Sequence, residues 1–372
     1  MKKIAIIGKG TAGALTYNHF AYYTNAHIDV YYDSKTIEQT VGEGTTLNIP
    51  EELNKTLGME FKDLPKLNGN LKTSIYYEGF GANNYHHSFQ MPNVSMHIDA
   101  VLLQNYIAKK NKKRIKFIDK KINNHNDIDA DYIIDCSGTP KDFKNYFKAD
   151  YIPVNSAIVK QFYWEQPEFT YTLTKAMRNG WLFAIPLANR ISLGYLYNNT
   201  LNNKKEIELE FNKYIKSINL KNEFKNINLT FKNYFKKINY TERVFHNGNA
   251  SFFLEPMEAT SLATVEEINR NIFDVIYNNK NIESANQEHK DWFKEVQDII
   301  TMHYLVGSEY NTKFWKLAKS LAQSCLVRKS KRFENILDNY NNEKFNLNKT
   351  YGSWGLHNIK TNIDNLGIKE LL

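Results

Sequence analysis

Short apolar runs separated by one helical segment open the chain. Lys3 to Ile7 is an apolar run that predicts a buried strand, and the segment from the following turn to about Tyr23 is compatible with a helix. Ile28 to Tyr32 predicts a second strand, which ends in Asp33. The order strand, helix, strand is typical of the first unit of a doubly wound α/β domain.

Further apolar runs predict strands in the middle of the chain. Leu71 to Phe80 alternates well enough for a strand, and Asp131 to Ile134 predicts a buried one. Between Ile152 and Tyr197 the runs and turns predict an antiparallel sheet that stands over the nucleotide domain. Its strands are expected at Ser156 to Trp164, Thr170 to Thr174, Gly180 to Pro186 and Arg190 to Tyr197.

Helices and turns are predicted for much of the remainder. Ser95 to Lys110 has the spacing of an amphipathic helix, and Asn83 to Phe89 is predicted to be a turn that carries two histidines. Leu201 to Leu229 is rich in Lys and Asn and is predicted to be mostly helical. Leu262 to Tyr277 has helical periodicity, and from Gln287 onward the chain is helix-rich and aromatic.

The turn after the first strand has the pattern G-x-G-x-x-G. Gly8 permits a tight turn, Gly10 lets a pyrophosphate approach backbone amides at a helix N-terminus, and Gly13 allows close helix–strand packing. Asp33 lies 20 residues after Gly13, where an acid can accept hydrogen bonds from the ribose of an adenine dinucleotide. Glycines alone would fit any glycine-rich turn of an α/β protein. The flanking strand, helix and acid together predict a Rossmann-type dinucleotide site.

Composition and charge narrow the function classes. The chain has 372 residues, of which 42% are hydrophobic and 14% aromatic, so it is long enough for about two domains. Its net charge is +8, and Lys109 to Lys121 is the densest basic run. This run lacks interleaved stacking aromatics, so we interpret it as a solvated face and expect no nucleic-acid partner. The positive charge can still steer anions inward.

The sequence gives little indication of a metal site, a disulfide framework or a membrane span. Cys136 and Cys325 are the only cysteines, which excludes a disulfide framework and a thiolate cluster. No carboxylate or thiolate completes a metal site around His86, His87 and His97, so no metal is predicted. No apolar run approaches the roughly 18–20 residues that a membrane span requires. We therefore expect a cytoplasmic protein without a membrane partner.

Two later segments carry specific motifs. Gly180 to Pro186 fits G-W-x-(W/F)-x-I-P, and Leu254 to Glu258 fits L-E-P-(L/M)-E. Together with other stretches in order along most of the chain, they resemble the flavin-dependent tryptophan halogenase family. The other stretches are Gly8 to Gly13, Val41 to Thr45, Lys72, His87 with Phe89, His97 to Ala100, Asp135 to Gly138, His303 with Tyr304, and Phe314 with Trp315.

The resemblance implies a fold and a chemistry. The fold would be a Rossmann-type, flavin monooxygenase-like FAD-binding domain with an antiparallel sheet and a small helical substrate cap. Reduced FAD, delivered by a separate flavin reductase, would react with dioxygen and halide to give hypohalous acid, which crosses a tunnel to a lysine beside the aromatic substrate. We expect the FAD-binding domain at residues 1–286, its substrate-facing sheet at about 150–245, and the helical cap at 287–372.

Lys72 and Glu258 are the catalytic residues that the resemblance implies. Lys72 would act as a haloamine or as a hydrogen-bond donor that polarises the oxidant, since lysine shifts its pKa readily on burial. Glu258 would assist this polarisation or accept the ring proton. Taken alone, Lys72 is compatible with an ordinary surface lysine, and Glu258 with an acid that favours a helix N-terminus.

The resemblance also implies binding residues. Halide is placed at the backbone amides near Thr260 and Ser261. Residues 41–45 would form a strap over the flavin, and the complete cofactor-binding set is Gly8, Gly10, Thr11, Ala12, Gly13, Asp33, Val41, Gly42, Glu43, Gly44, Thr45, Gly138, Leu254 and Pro256. Substrate and tunnel contacts are expected from His87, Phe89, Trp181, Phe183, Ile185, Pro186 and Trp354. For Trp181 and Phe183, packing alone is an alternative role.

Some positions depart from the family pattern. Ala259 stands where Ser is usual, and Ser261 where Gly is usual. Only seven residues separate Phe89 from His97, where tryptophan-specific members carry a long insertion, and the C-terminal part is abbreviated. We therefore expect an indole, a phenol or a larger aromatic as substrate rather than free tryptophan.

Two other functions remain open on the sequence. A flavin monooxygenase would hydroxylate an aromatic substrate without dependence on Lys72, and a non-catalytic protein would bind FAD without turnover. Halide-dependent product formation would separate the first of these from a halogenase. The chain is also compatible with a homodimer.

Overall fold

The structure is a computed structural model, and it describes residues 1–36, 42–89, 94–328, 334–335, 337–338, 340, 350–351 and 354–369. At 350–351 and 354–357 it describes the backbone alone. The strands are β1 (Lys3–Ile7), β2 (His27–Tyr32), β3 (Asn70–Lys72), β4 (Ser74–Glu78), β5 (Tyr85–Ser88), β6 (Ser95–His97), β7 (Ile115–Asp119), β8 (Tyr132–Asp135), β9 (Tyr146–Lys148), β10 (Ser156–Tyr163), β11 (Tyr171–Met177), β12 (Gly180–Pro186), β13 (Arg190–Tyr197), β14 (Glu223–Thr230), β15 (Tyr234–Lys236), β16 (Val244–His246), β17 (Phe252–Phe253), β18 (Thr350–Tyr351) and β19 (Trp354–Gly355). The helices are α1 (Thr11–Tyr23), α2 (Asn48–Leu57), α3 (Ala100–Asn111), α4 (Lys204–Ser217), α5 (Thr260–Tyr277), α6 (Ile282–Met302), α7 (Lys313–Val327) and a C-terminal helix (Leu356–Leu366).

Five strands form a parallel sheet in the order β16-β8-β1-β2-β7. Ile4, Ile6 and Val30 in its central strands are fully buried. Helix α1 packs on β1 and β2, and α3 and α5 pack against α1. A parallel sheet requires such cover, because its strands are apolar on both faces. The predicted Rossmann-type α/β fold is confirmed.

A second sheet has seven strands in the order β14-β10-β13-β12-β11-β4-β5. Its pairs are antiparallel except β11 with β4, which is parallel. Alternate side chains of β12 enter different apolar cores. Trp181 belongs to the main core, whereas Leu182 and Ala184 belong to a second core that α4 closes through Ile207 and Phe211. The predicted antiparallel sheet is therefore confirmed, with one parallel pair.

The helices near the C-terminus extend the main core. Phe293 on α6, Phe314 on α7 and Ile363 on the C-terminal helix are fully buried in it. Smaller sheets have the orders β17-β15-β9, β3-β6 and β18-β19. None of the described helices has both the length and the apolar character that crossing a membrane requires. The division at residues 286 and 287 stays a prediction.

The helix predicted from Ser95 to Lys110 begins later than expected. Ser95–His97 is strand β6, and the helix begins at Ala100, because Asp99 caps it by accepting hydrogen bonds from the amides of Val101 and Leu102. An aspartate at this position satisfies amides that have no partner within the helix.

Other predicted elements are also divided. The strand predicted from Leu71 to Phe80 forms β3 and β4 in different sheets, and the predicted turn from Asn83 to Phe89 contains strand β5. The segment from Leu201 to Leu229 is helical only in α4. Its last part is β14, an edge strand that pairs with β10.

Candidate active site

The glycine turn joins β1 closely to α1. Gly8 has a φ of 104°, and a Cβ there would lie 2.4 Å from the carbonyl oxygen of Cys136, in the loop after β8. A Cβ on Gly13 would lie 2.1 Å from the carbonyl oxygen of Gly8. Both positions therefore exclude a larger residue, and the first turn of α1 lies directly on the sheet.

The N-terminus of α1 is open. Gly10 is its N-cap residue, no side chain caps the helix, and a Cβ on Gly10 would meet no atom within 4 Å. Gly138, in the loop after β8, has equally open surroundings. Uncapped amides at a helix N-terminus bind phosphate groups, so this edge of the parallel sheet fits the pyrophosphate of a dinucleotide.

Thr11, Ala12 and Asp33 flank this edge. The Thr11 hydroxyl accepts a hydrogen bond from Gln104 Nε2 at 3.0 Å, and Ala12 is half-buried. Asp33 directly follows β2, and its Oδ1 accepts from the amide of Lys35 at 2.9 Å. An acid at the end of the second strand has the position that ribose recognition requires.

The described part of the predicted strap is 42–45, and Val41 lies outside the described residues. Glu43 is buried, and its carboxylate forms an ion pair with Arg190 on β13. The same guanidinium donates to Asp99 Oδ2 at 2.8 Å. The Glu43 side chain therefore anchors the strap to the second sheet, and the open position beside it is Gly42, where a Cβ would meet nothing within 4 Å.

The strap passes directly beside Lys72. Thr45 donates its hydroxyl to the β6 backbone at 2.9 Å, and its own carbonyl accepts from Lys72 Nζ at 3.0 Å. A Cβ on Gly44 would lie 4.0 Å from Lys72 Nζ and 3.9 Å from the Cβ of Ala259. Lys72 Nζ and the residue that follows Glu258 therefore both lie next to Gly44.

Lys72 is a buried amine at the end of β3, and only 1% of it is exposed. Its Nζ lies 5.6 Å from the ring centroid of Phe89, which is half-buried. Burial lowers the pKa of Lys72 to about 8, although the negative charge of Glu258 opposes this shift. Near neutral pH, Lys72 therefore populates both the ammonium and the amine form.

Glu258 lies in a strained turn that leads into α5. Its φ is 64°, and that of Ala259 is 52°. This left-handed conformation costs a residue other than glycine about 1–2 kcal/mol, so the surrounding packing must hold the turn. The turn buries the Glu258 side chain and leaves the first amides of α5 without a side-chain cap.

Polar side chains surround the Glu258 carboxylate. Tyr77 donates its hydroxyl to Oε1 at 2.6 Å, and Asn362 Nδ2 donates to the same oxygen at 3.3 Å. His303 Nε2 lies 3.0 Å from Oε1, and His87 Nδ1 lies 3.4 Å from Oε2. Both oxygens therefore have polar partners despite complete burial.

These partners keep Glu258 ionised. Burial on its own would raise the pKa, but His87 and His303 hold the pKa of Glu258 well below its usual range through charge and hydrogen bonding. His303 Nδ1 lies 3.0 Å from the carbonyl oxygen of Ile299, and its ring stacks on that of Tyr77 at 4.9 Å. The imidazole of His303 is thus fixed in position, with both nitrogens facing acceptors.

A second buried carboxyl group, Glu255, has a different environment. Tyr304 donates its hydroxyl to both carboxyl oxygens at 3.0 and 2.9 Å, and Trp181 Nε1 donates to Oε2 at 3.2 Å. Burial raises the pKa of Glu255 to about 8, and these hydrogen bonds oppose the shift only in part. Glu255 is therefore mainly protonated at neutral pH, three residues from an ionised carboxylate.

The segment around Glu258 contains the remaining predicted anion and cofactor contacts. Thr260 is buried and Ser261 is half-buried in the first turn of α5, where the uncapped amides have the field that attracts an anion. Leu254 is buried, and Pro256 is exposed at the surface of the turn.

The predicted tunnel residues on β12 lie on two faces. Trp181, Phe183 and Ile185 share one face of the strand, and Pro186 lies on the other, because side chains alternate along a strand. Trp181 is buried and hydrogen-bonded. Phe183 is half-buried over Gly194, where a Cβ would lie 2.2 Å from the Phe183 ring.

The remaining ring residues have different neighbours. His87 is on the buried face of β5 and His86 on the exposed face, while His97 is buried on β6. The rings of His87 and Phe89 are 6.4 Å apart at 72°, and His87 faces Glu258 instead of stacking on Phe89. The side chain of Trp354 lies outside the described ones.

Sequence reasoning did not assign Tyr77, Glu255 or Asn362 to the site. Glu255 carried a signal, since it is the first carboxyl group of the E-P-M-E segment. Tyr77 and Asn362 are separated from Glu258 by 181 and 104 positions in the sequence, respectively, so no local pattern connects them to it.

Comparison with known proteins identifies the family of the chain. The sequence profile of the tryptophan halogenases matches residues 3–123 and 110–351. The chain is 24% identical over 208 residues to tryptophan 6-halogenase ThaL of Streptomyces albogriseolus, a match that covers 52% of this chain and only 39% of that protein.

Solved structures agree in fold. A tryptophan halogenase from Shewanella frigidimarina superimposes with a TM-score of 0.81 at 16% identity, over 98% of this chain and 89% of that one. Tar14, a tryptophan C-6 flavin-dependent halogenase (chlorinase) from taromycin biosynthesis, superimposes with a TM-score of 0.81 at 15% identity, over 98% and 90% of the two chains. Because the family profile matches most of the chain, the protein belongs to the tryptophan halogenase family.

Proposed function

We propose that the protein is a flavin-dependent halogenase that uses reduced FAD, dioxygen and a halide to halogenate an aromatic substrate. One observation carries the proposal: the buried amine of Lys72 and the residue that follows the buried Glu258 both lie next to Gly44 of the strap. When bound, reduced FAD would supply two of the electrons that reduce dioxygen, and the halide would supply the other two as it is oxidised to hypohalous acid. A flavin monooxygenase that hydroxylates its substrate would not depend on Lys72.

The cofactor and the halide would occupy three open parts of the site. The glycine turn at Gly8 to Gly13, with the open N-terminus of α1, would hold the pyrophosphate, and Asp33 the ribose. The described strap, 42–45, would lie against the flavin. The halide would bind at the uncapped amides of Thr260 and Ser261, next to Glu258.

Lys72 would receive the oxidant. As a neutral amine, its nitrogen would attack the halogen of hypohalous acid; the N–halogen bond forms, the halogen–oxygen bond breaks, and hydroxide leaves with the amine proton as water. As an ammonium, it would instead donate a hydrogen bond to the oxygen and make the halogen more electrophilic. A pKa of about 8 allows both forms, so the proposal keeps both.

Glu258 would accept the proton that the ring loses after halogenation. A base must be ionised before the reaction, and His87 and His303 keep the pKa of this carboxyl group well below its usual range. Tyr77 fixes the orientation of Oε1 through its 2.6 Å hydrogen bond. Burial excludes water, which favours transfer to the carboxylate over transfer to solvent.

We expect an indole, a phenol or a larger aromatic as the substrate. Phe89 is half-buried with Lys72 beside its ring, so a planar ring placed against Phe89 would lie near the amine. A separate flavin reductase would be the transient partner that supplies reduced FAD. The homodimer and the cytoplasmic location stay predictions.

The test is product analysis by mass spectrometry. The protein receives reduced FAD, air, bromide or chloride, and a panel of indoles and phenols. Lys72→Met and Glu258→Gln remove the two groups. Lys160→Met is the matched control, because Lys160 is also a buried lysine on a strand, but its Nζ forms an ion pair with Glu223 at 2.9 Å and does not contact the described strap.

A halogen mass increment in the wild type and in the Lys160 variant, but not in the Lys72 variant, supports the proposal. An oxygen increment that does not require halide would replace it with the monooxygenase. Binding of FAD with no product from any member of the panel would favour the non-catalytic flavin-binding function.

A further inference from the structure

A second cluster of ionisable side chains lies between three helices. His19 on α1 places its Nδ1 3.8 Å from Glu52 Oε1 on α2 and 3.6 Å from Glu266 Oε2 on α5. One donor atom from each residue lies within 4.8 Å of the other two. His19 is 5% exposed and Glu266 3%, so two of the three side chains are fully inside the protein.

Two of the three donor atoms of this cluster make no hydrogen bond among the described residues. Within the described part of the chain, neither His19 Nδ1 nor Glu52 Oε1 makes a hydrogen bond, although both atoms are buried. A buried polar atom left in this state is unfavourable, because it has lost its hydrogen bonds to water and gained none within the protein. A protonated His19 would still leave one negative charge uncompensated, whereas a divalent cation bound to neutral imidazole would balance both carboxylates.

We propose that His19, Glu52 and Glu266 bind a divalent transition-metal ion of the zinc type. Zinc takes imidazole nitrogen and carboxylate oxygen at about 2.0–2.2 Å, so ligand atoms around it lie roughly 3.4 Å apart. The distances of 3.8 and 3.6 Å from His19 Nδ1 to the two carboxylate oxygens are close to this value, and the three ligand atoms all lie within 4.8 Å of one another. The Glu52 side chain is 20% exposed, which gives the ion an entry path and leaves a fourth position for water.

Neighbouring side chains hold two of the ligands, Glu52 and His19, in position. Tyr23 donates its hydroxyl to Glu52 Oε2 at 3.2 Å, which leaves Oε1 directed at His19. The rings of Tyr23 and Phe273 lie 4.6 and 6.2 Å from the His19 ring and give the site a largely apolar wall. Lys55, the nearby cation, is exposed and lies over the Tyr23 ring, outside the three ligands.

The ion would brace three helices that begin at the candidate active site. Helix α1 follows the glycine turn, α2 follows the strap, and α5 begins two residues after Glu258. A metal that links the second or third turn of each would fix these starting points relative to one another. This role does not depend on the reaction that the site catalyses.

The test uses chelator-treated full-length protein without a polyhistidine tag. Isothermal titration calorimetry with Zn²⁺ compares the wild type with Glu266→Gln and His19→Ala. His27→Ala is the control, because His27 is an exposed histidine that pairs with Asp29 at 3.1 Å and is not one of the three ligands. Anomalous diffraction at the zinc edge locates the ion.

We expect the wild type and the His27 variant to bind one Zn²⁺ at the three ligands. Both ligand variants should lose affinity by a factor of ten or more while circular dichroism shows that they fold. Zinc should also raise the melting temperature of the wild type but not of the Glu266 variant. The proposal is wrong if no zinc binds at this position, or if both ligand variants bind it as the wild type does. It is equally wrong if Glu266→Gln lowers the melting temperature by the same amount with and without zinc, which would identify an ion pair that serves packing alone.

Discussion

Replacement of the buried Lys72 by Met should abolish halogenation and stabilise the fold at the same time. Methionine has nearly the same length and no charge, so it fills the space at the end of β3 without a desolvation cost. The pKa of Lys72 falls from its ordinary 10.5 to about 8, mainly because of burial. At about 1.4 kcal/mol per pH unit, this shift corresponds to about 3 kcal/mol of unfavourable free energy in the charged form.

The Lys72→Met variant avoids this cost, but it also loses a hydrogen bond, which offsets part of the stabilisation. Lys72 Nζ donates to the carbonyl of Thr45 at 3.0 Å, and loss of one such bond costs about 1 kcal/mol. The variant should therefore be more stable than the wild type by about 2 kcal/mol at pH 7, or about 2–3 °C in melting temperature for a chain of this size.

The pH dependence has a definite sign. Below about pH 8, Lys72 is charged in both the folded and the unfolded state, so the wild type has its full burial cost. Between about 8 and 10.5 the unfolded chain binds more protons than the folded one, so wild-type stability rises with pH. The advantage of Lys72→Met should consequently be largest at pH 7 and should shrink as pH approaches 10.5.

Urea unfolding followed by tryptophan fluorescence at pH 7 and pH 10 measures both effects. Lys160→Met is the control, since it breaks the ion pair with Glu223 and should lower the urea midpoint. A Lys72 variant that unfolds at lower urea than the wild type at pH 7, or an advantage that is the same at both pH values, would refute the assignment of a desolvated amine.

Four further outcomes test the site. Glu255→Gln should change the free energy of unfolding by less than about 1 kcal/mol, because a neutral amide replaces a mostly protonated acid. Glu258→Gln should reduce kcat roughly 100-fold or more in product assays, because it removes the ionised carboxylate. The rate of halogenation should depend on pH near pH 8, where Lys72 titrates. A rate that rises with pH to a plateau would identify the neutral amine as the active form, and a rate that declines would identify the ammonium. A rate that stays constant from about pH 7 to 9 contradicts both. Gly44→Ala should fold with an unchanged melting temperature, since its Cβ fits without a clash. It should slow halogenation roughly tenfold or more, because the added methyl group fills the space beside Lys72 and Ala259. An unchanged rate would show that the oxidant does not pass there.

The sequence predicted those parts of the fold that local patterns determine. The unit β1-α1-β2 and the strands β10 to β13 follow from apolar runs of the correct length and from turns between them. The start of α3 was misplaced because the predicted helix ran through Asp99, whose capping role overrides the apolar spacing around it. Strand β14 was missed since an edge strand with exposed side chains lacks the apolar signal of a buried one.

The partners of the catalytic groups could not be predicted in the same way. His87, His303 and Tyr77 converge on Glu258 from β5, the end of α6 and β4, and only the tertiary fold brings these elements together. The same holds for Arg190, which takes the carboxylate of Glu43. A family motif can indicate which residue acts, but the burial and the charges that set its pKa come from segments far away in the chain.

The turn at Glu258 explains how one short motif holds two carboxyl groups in opposite states. In a regular helix, residues three positions apart face the same side, and two carboxylates there would repel each other. The left-handed conformations of Glu258 and Ala259 keep this segment out of helical geometry before α5 begins. Glu255 is thereby left against Tyr304 and Trp181, where burial dominates and raises its pKa, while Glu258 turns to the histidines that lower its own. The backbone strain of the turn thus separates a neutral acid from an ionised base, and relief of that strain would move Glu258 away from the histidines that keep it ionised for the proposed proton transfer.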